Sequence, residues 1–130
     1  NDFTYRAVND KAVVLFESHF KRNYIHVRDV CSVFLHALDN FDAMKSEIYN
    51  VGLSDANVSK KELCEKIAEQ VPNFVFLEHE LANDPDQRNY VVSNAKLEAT
   101  GWRPVYSLEN GITELIKGFE MIRNKRYGNV

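Results

Sequence analysis

The feature that most limits how this chain can fold is a change of hydrophobic period between its first two apolar segments. KAVVLFE (11–17) is an unbroken run of β-branched, aliphatic and aromatic residues bounded by polar ones, which fits a short strand. The polar connector ESHFK leads into RNYIHV, where alternation continues, so the two runs are expected to form a β-hairpin. Beyond it the period changes. Val30, Val33, Phe34, Ala37, Leu38 and Phe41 recur at helical spacing, predicting a helix from about Asp29 to Asn40 that buries this stripe. Asp29 stands in its first turn, where a carboxylate complements the positive helix end.

The alternation persists to the C-terminus. EIYNVG (47–52) reads as a strand stopped by Gly52, and Ser59-Lys60-Lys61-Glu62 has the spacing of a capping box. The helix it opens buries Leu63, Cys64, Ile67, Ala68 and Val71 and ends at Pro72, and FVFLEH (74–79) is the next strand. HELANDPDQRN is polar and irregular, and YVV is short and extended. Ser93 or Asn94 can cap a brief helix through Leu97, with Gly101 as its stop. Ser107 caps a last long helix striped by Leu108, Ile112, Leu115, Ile116, Phe119 and Ile122, and Trp102 is expected to anchor packing beneath it. NDFTYRAVND at the start reads as the inside of a helix, because Phe3, Ala7 and Val8 share a face. Strands alternating with helices make the fold class α/β, a small mixed lobe read as one domain over residues 1–130, with a basic tail at 123–130 expected to fray.

Composition excludes several functions. With 130 residues, 45% of them hydrophobic, the chain can bury a core, and a net charge of −3 gives no general attraction to nucleic acid or an anionic membrane surface. No apolar run approaches the ~20 residues needed to span a bilayer. Cys31 and Cys64 have no neighbour at metal-ligand spacing and read as small core residues, which suits a reducing cytoplasm. His26 precedes a helix, where a ring nitrogen can satisfy local backbone, and no nucleophile accompanies it. His19, His36 and His79 form no metal set, so no metal is expected.

The order of the segments carries more than any one of them. R-x-Y-I-H-V-x-D-V (22–30), then a helix, Y-N-V-G (49–52), a capped helix, D-P-x-x-R-x-Y (84–90), and K-x-x-x-x-G-W-x-P-x-Y-S-L-x-x-G-I (96–112) resemble the C-terminal part of the NAD-dependent nucleotide-sugar epimerases and dehydratases, which are extended short-chain dehydrogenases. The resemblance runs from about residue 11 to about residue 117. That family binds NAD on a glycine-rich turn after its first strand. Here Gly52, Gly101, Gly111, Gly118 and Gly128 are too dispersed to make one. The family's general base or acid is a tyrosine four residues before a lysine, and none of the six tyrosines has that spacing; Tyr24 before Arg28 comes nearest. The chain therefore resembles a fragment: the substrate-binding lobe, without the Rossmann half that carries NAD(P) and the catalytic residues. By itself it is expected to be inactive and to hold no cofactor, although the complete protein would be an enzyme.

What the resemblance implies for the site is a pair of arginines. A nucleoside diphosphate needs fixed positive donors, and a guanidinium can give two hydrogen bonds to one phosphate while staying charged when desolvated. Arg22 and Arg88 are the matching residues, expected to face one cleft and bracket the pyrophosphate. Val14 and Phe16 match the strand whose backbone meets the nucleotide base, with packing as the other reading; relatives commonly carry glycine where this chain has Glu17. Epimerase and dehydratase are not separated by these residues. Two other readings stay open: a reductase of the same superfamily with a non-nucleotide substrate, in which the arginines are scaffold, and a free-standing binding module. A lobe severed from its other half is further expected to expose an apolar face, one that can include the helix at 2–9, and to self-associate through it.

Overall fold

The computed structural model describes residues 1–79 and 88–122. Their elements are α1 (Asp2–Asn9), β1 (Ala12–Phe16), β2 (Lys21–Asn23), α2 (Val27–Asp39), α3 (Phe41–Met44), β3 (Asn57–Ser59), α4 (Lys60–Ala68), β4 (Val75–His79), α5 (Ala95–Glu98) and α6 (Leu108–Met121). The expected α/β lobe is what forms, with the helix at the start, the two strands and the two long capped helices in place. The tail at 123–130 and the Asp84–Pro85 step lie outside the described residues.

The pairing differs from a hairpin. β1 lies parallel to β4, in register from Ala12 opposite Val75 to Phe16 opposite His79, while β2 pairs antiparallel with β3, Arg22 opposite Val58. The reason lies in the faces. β1 alternates, sending Val13 and Leu15 into the core, and Phe76 of β4 extends that apolar surface. Lys21, Arg22 and Asn23 of β2 have nothing to add to it. The chain leaves β1 through Glu17, held at a φ of 46°, and Ser18 O accepts the Lys61 amide at 3.2 Å, which turns the connector towards α4 instead of back along β1.

Two clusters fill the interior. In the first, α1, β1, α4 and α6 contribute Ala7, Leu15, Cys64, Ile67 and Ile112. Burial pushes the Cys64 thiol up to about 12, as expected for an inert core cysteine. The second joins Val33 of α2, Met44, Leu97 of α5 and Trp102. Trp102 thus anchors α2 and α5, not the underside of α6, and its indole N–H donates to Ser32 Oγ at 2.9 Å.

Local caps account for the helix starts. Ser59 Oγ accepts the Glu62 amide at 3.1 Å while the Glu62 carboxylate accepts the Ser59 N–H at 2.7 Å; Ser107 and Asn110 repeat the arrangement at α6. Gly101, at a φ of 96°, ends the α5 turn in a conformation other residues avoid. α2 begins two residues earlier than its apolar period suggests, because His26 Nδ1 accepts the Arg28 amide at 3.1 Å and serves as N-cap. Asp29 goes beyond a helix-start role. It is 1% exposed, and its two carboxylate oxygens accept the Val105 and Tyr106 amides, each at 3.0 Å, tying α2 to the segment before α6.

The α2 stripe is the main departure. Val33 is buried, but Phe34 and Leu38 are 68% and 69% exposed, and Phe41 and Cys31 are exposed as well. Cys31 is therefore no core residue. The period identifies which residues share a face without supplying the surface that covers it. Residues 47–51 likewise form no strand, since nothing among the described residues makes a ladder with them, and Ile48 is 86% exposed.

Candidate functional site

β2 places Arg22 at its centre, and its side chain turns across the sheet edge to the segment at 88–92. Arg22 Nη1 donates to Lys21 O at 2.9 Å and to the backbone carbonyl of Arg88. Its guanidinium carbon stands 4.8 Å from the centroid of the Tyr90 ring, and that of Arg88 stands 5.2 Å from the same ring. Residues 66 apart in sequence therefore share one aromatic platform. The two guanidinium carbons can be no further apart than the sum of those distances, a span a diphosphate can bridge. Two like charges so close repel, and the π-faces of Tyr90 offset part of that repulsion.

The platform is fixed to β2 by backbone bonds. Tyr90 N–H donates to Lys21 O at 3.0 Å, and Lys21 N–H donates to Asn89 Oδ1 at 2.8 Å. Behind them lies a set of asparagines. Asn23 Nδ2 donates to Leu53 O at 2.7 Å and to Asn57 Oδ1 at 3.0 Å, while its Oδ1 accepts the Leu53 amide at 2.9 Å. Asn94, fully buried, donates to Gly52 O; its own Oδ1 has no hydrogen-bond partner among the described residues. Tyr24, next along from β2, has its phenol pushed up by burial, an effect the Arg22 charge opposes.

The other two expected site residues lie elsewhere. Val14 and Phe16 stand on the outward face of the β1–β4 pair with Val75 and Leu77, and this face walls a shallow cavity of about 440 Å³ completed by Asp2, Phe3 and Arg6 of α1. The Phe16 carbonyl accepts from Lys60 Nζ at 3.0 Å, so a base approaching there would meet a ligand already in place. A second cavity of about 550 Å³ is bordered by Tyr24, His26, Arg28, Leu108 and Glu114. Among the described residues, neither Arg22 nor Arg88 lines these two cavities; the pair meets on the Tyr90 ring.

Beside the second cavity, His26 Nε2 stands 3.1 Å from Glu114 Oε2 and Arg28 Nη1 2.8 Å from Oε1, with the imidazole stacked on Tyr106 at 4.3 Å. These contacts hold the Glu114 carboxylate below its ordinary range, the His26 bond first. Because Nδ1 is occupied as a cap acceptor, the neutral ring carries its proton on Nε2, towards Glu114. The arrangement ties α2 to α6 and presents no nucleophile.

A dinucleotide does not fit the parallel pair described here. Where a pyrophosphate would need glycine and a helix N-terminus at the C-terminal ends of the strands, β1 runs into Glu17 and the penultimate residue of β4 is Glu78. Glu78 accepts from Ser18 Oγ, and Lys61 Nζ binds it at 2.6 Å. Among the described residues no group of three or more His, Cys, Asp or Glu could hold a metal ion, and no helix is long and apolar enough to cross a membrane.

Sequence reasoning reached the arginines through motif order, and it quoted Tyr90 within D-P-x-x-R-x-Y without a role. It missed Asn23 and Asn57, whose only signal is that asparagine is unusual in strand-like segments; it read Asn94 as a helix cap, whereas Asn94 stands at the start of α5 with its side chain donating to Gly52 O and not to the helix.

The architecture is that of part of a Rossmann-type α/β enzyme. The UDP-glucose 4-epimerase of Thermotoga maritima, solved with UDP-glucose, superposes with a TM-score of 0.75 at 23% identity, over 92% of this chain and 38% of that one. The L-threonine dehydrogenase of Phytophthora infestans does so with a TM-score of 0.76 at 12% identity, over 92% and 40%. Residues 2–52 match the model of the NAD dependent epimerase/dehydratase family, whose members use NAD(P). Among curated relatives, the low-salt glycan biosynthesis protein Agl12 of Haloferax volcanii is 30% identical over 115 residues, 85% of this chain and 35% of that protein. The chain thus spans about a third of the length of that relative.

Proposed function

We propose that this chain is the substrate-binding lobe of a nucleotide-sugar epimerase or dehydratase, and that Arg22 and Arg88 hold the nucleoside diphosphate. The observation that carries the reading is the meeting of both guanidiniums on Tyr90. Both groups are forked donors that stay charged when desolvated, so an anion seated between them would be held by two guanidiniums at once. Val14 and Phe16 then present an apolar strand face to the nucleoside, apart from the charge-bearing edge. NAD(P) and the residues that move hydride and proton belong to the rest of the parent enzyme, and this chain alone turns nothing over.

The same reading covers α2. Phe34, Leu35, Leu38 and Phe41 form an outer apolar stripe, and the Rossmann half of the parent enzyme is the partner that buries it. When that half is missing, the stripe is where copies of the lobe associate. Free Cys31 and Cys64 suit the cytoplasm as its compartment.

Titration of UDP, GDP and inorganic pyrophosphate into the chain, followed by calorimetry or amide shifts, tests the reading. Arg22→Ala and Arg88→Ala should each weaken diphosphate binding by about 10-fold or more, the loss of one charge-assisted contact. The likeness to L-threonine dehydrogenase favours a second reading, in which the substrate carries no nucleotide and the arginines are scaffold. In that case both variants leave pyrophosphate binding unchanged.

A further inference from the structure

The arginine pair requires Arg88 and Tyr90 to be delivered to one point on β2, and residue 92, C-terminal to both, is fixed by an asparagine. Val92 N–H donates to Asn57 Oδ1 at 2.9 Å, and Asn57 Nδ2 donates back to Val92 O, also at 2.9 Å. One side-chain amide therefore makes to a single residue both of the bonds that a neighbouring strand would make. Asn57 is in turn fixed by Asn23 Nδ2 at 3.0 Å, and Asn23 lies one residue from Arg22. With Tyr90 N–H on Lys21 O, residues 90 and 92 are both pinned to the β2–β3 pair, and the register of the intervening chain is set.

Register matters here because a slip of one residue in an extended segment turns every side chain to the opposite face. Tyr90 would leave the guanidinium of Arg22, and Arg88 would lose the platform it shares. β2 holds this segment through the Lys21–Tyr90 backbone bond, the Lys21 amide on Asn89 Oδ1 and Arg22 on the Arg88 carbonyl. Asn57 adds two bonds to one residue, and a slipped segment would have to break both at once.

We infer that Asn57 is a positioning residue for the anion site: it sets the register of 89–92 and so holds Arg88 and Tyr90 against Arg22. This rests on the reading of the two arginines as diphosphate ligands, but its geometric part can be tested without any ligand. In the whole chain, NMR of Asn57→Ala should show the Arg22 and Arg88 side-chain resonances losing the ring-current shift that Tyr90 imposes, and the Val92 amide losing at least about 10-fold of its exchange protection. Val92→Pro removes the same bond from the other partner and should give the same displacement, which covers the case that Asn57→Ala does not fold. Inorganic pyrophosphate is the ligand probe. Asn57→Ala should weaken it by about the factor that Arg88→Ala does, and the double variant should be no weaker than Arg88→Ala alone. Retained ring-current shifts in both Asn57→Ala and Val92→Pro overturn the inference. So does a further loss of pyrophosphate binding when Asn57→Ala is added to Arg88→Ala, since Asn57 would then act by some route other than Arg88. If Arg88→Ala itself has no effect on pyrophosphate, the diphosphate reading fails, and the ring-current result still decides whether Asn57 sets the register.

Discussion

Replacing Gly52 by alanine should destabilise the chain through space and not through backbone conformation. A Cβ built on Gly52 would lie 2.3 Å from Asn23 Oδ1, 2.9 Å from Asn23 Cγ and 3.0 Å from Val92 Cγ1. The first two contacts are beyond what small adjustments can relieve. Asn23 cannot swing aside at no cost, since its amide donates to Leu53 O and Asn57 Oδ1 and accepts the Leu53 N–H. Displacing it forfeits three hydrogen bonds in a half-buried place, and at ~1 kcal/mol each, with some recovery by water, Gly52→Ala should cost about 2–4 kcal/mol. For a domain of this size that lowers Tm by roughly 10 °C. Urea denaturation of four proteins measures it: the parent chain, Gly52→Ala, Asn23→Ala and the double variant. Once Asn23 is truncated, the added methyl at position 52 has room, so the second substitution should cost less than about 1 kcal/mol in that background. Additive costs would refute the reasoning and point instead to Val92 or to the backbone of the 51–53 turn.

Glu17→Gly should stabilise the chain by about 1 kcal/mol in the same assay, because Glu17 holds a φ of 46° that glycine adopts without Cβ strain; an unchanged denaturation midpoint would count against it. Asp29→Asn should destabilise by about 2 kcal/mol, since an amide group replaces one of the two acceptors facing the Val105 and Tyr106 amides; the two amide protons should exchange faster, and unaltered exchange would dismiss the tether. The third of these concerns pH. In the folded state Glu62 is held below its ordinary value of 4.5, first by the Ser59 amide and then by its hydroxyl, so its contribution is present above 4.5 and lost as pH falls through the lowered value. Glu62→Gln should therefore be less stable than the parent at pH 7, with the gap closing in acid; a gap that widens on acidification would contradict the sign.

How legible each part was depends on how far away its physical cause lies. The caps at Ser59 and Ser107 depend on residues three positions on, and both could be read directly. Gly101 was legible as a stop, whereas Gly52 was assigned the same task and instead makes room for Asn23, a residue 29 positions earlier. The hairpin was wrong because sequence adjacency does not choose a strand's partner: β1 passes over the polar β2 for the apolar β4, beyond α4. The carboxylate of Asp29 was read for the helix it begins, because its partners at 105 and 106 have no local signature. The arginines became legible only through the order of four weak motifs. Their meeting point, Tyr90, required coordinates.

The two buried clusters differ in a way that predicts where this chain opens first. The first is enclosed by α1, β1, α4 and α6, and its members Ala7, Cys64 and Ile67 are completely buried. In the second only four residues are buried, while the helix that supplies Val33 turns Phe34, Leu35 and Leu38 to solvent. Burying a leucine or phenylalanine side chain contributes about 1.5–3 kcal/mol, so α2 lacks several times that amount of stabilisation along its outer face. What retains it is a few contacts: the His26 cap, the Asp29 tether, the exposed pairing of His26 and Arg28 with Glu114, and Trp102 in one cluster with Val33. Native-state hydrogen exchange should therefore show α2 and α5 opening as one unit at lower free energy than α4 and α6. The amides of Tyr90 and Val92 are pinned to β2 and β3, and β3 leads directly into α4, so they should open with the first cluster. Equal protection in α2 and α4 would mean that the outer face of α2 is already covered in solution, by a second copy of the chain. A dependence of that protection on protein concentration would identify the covering.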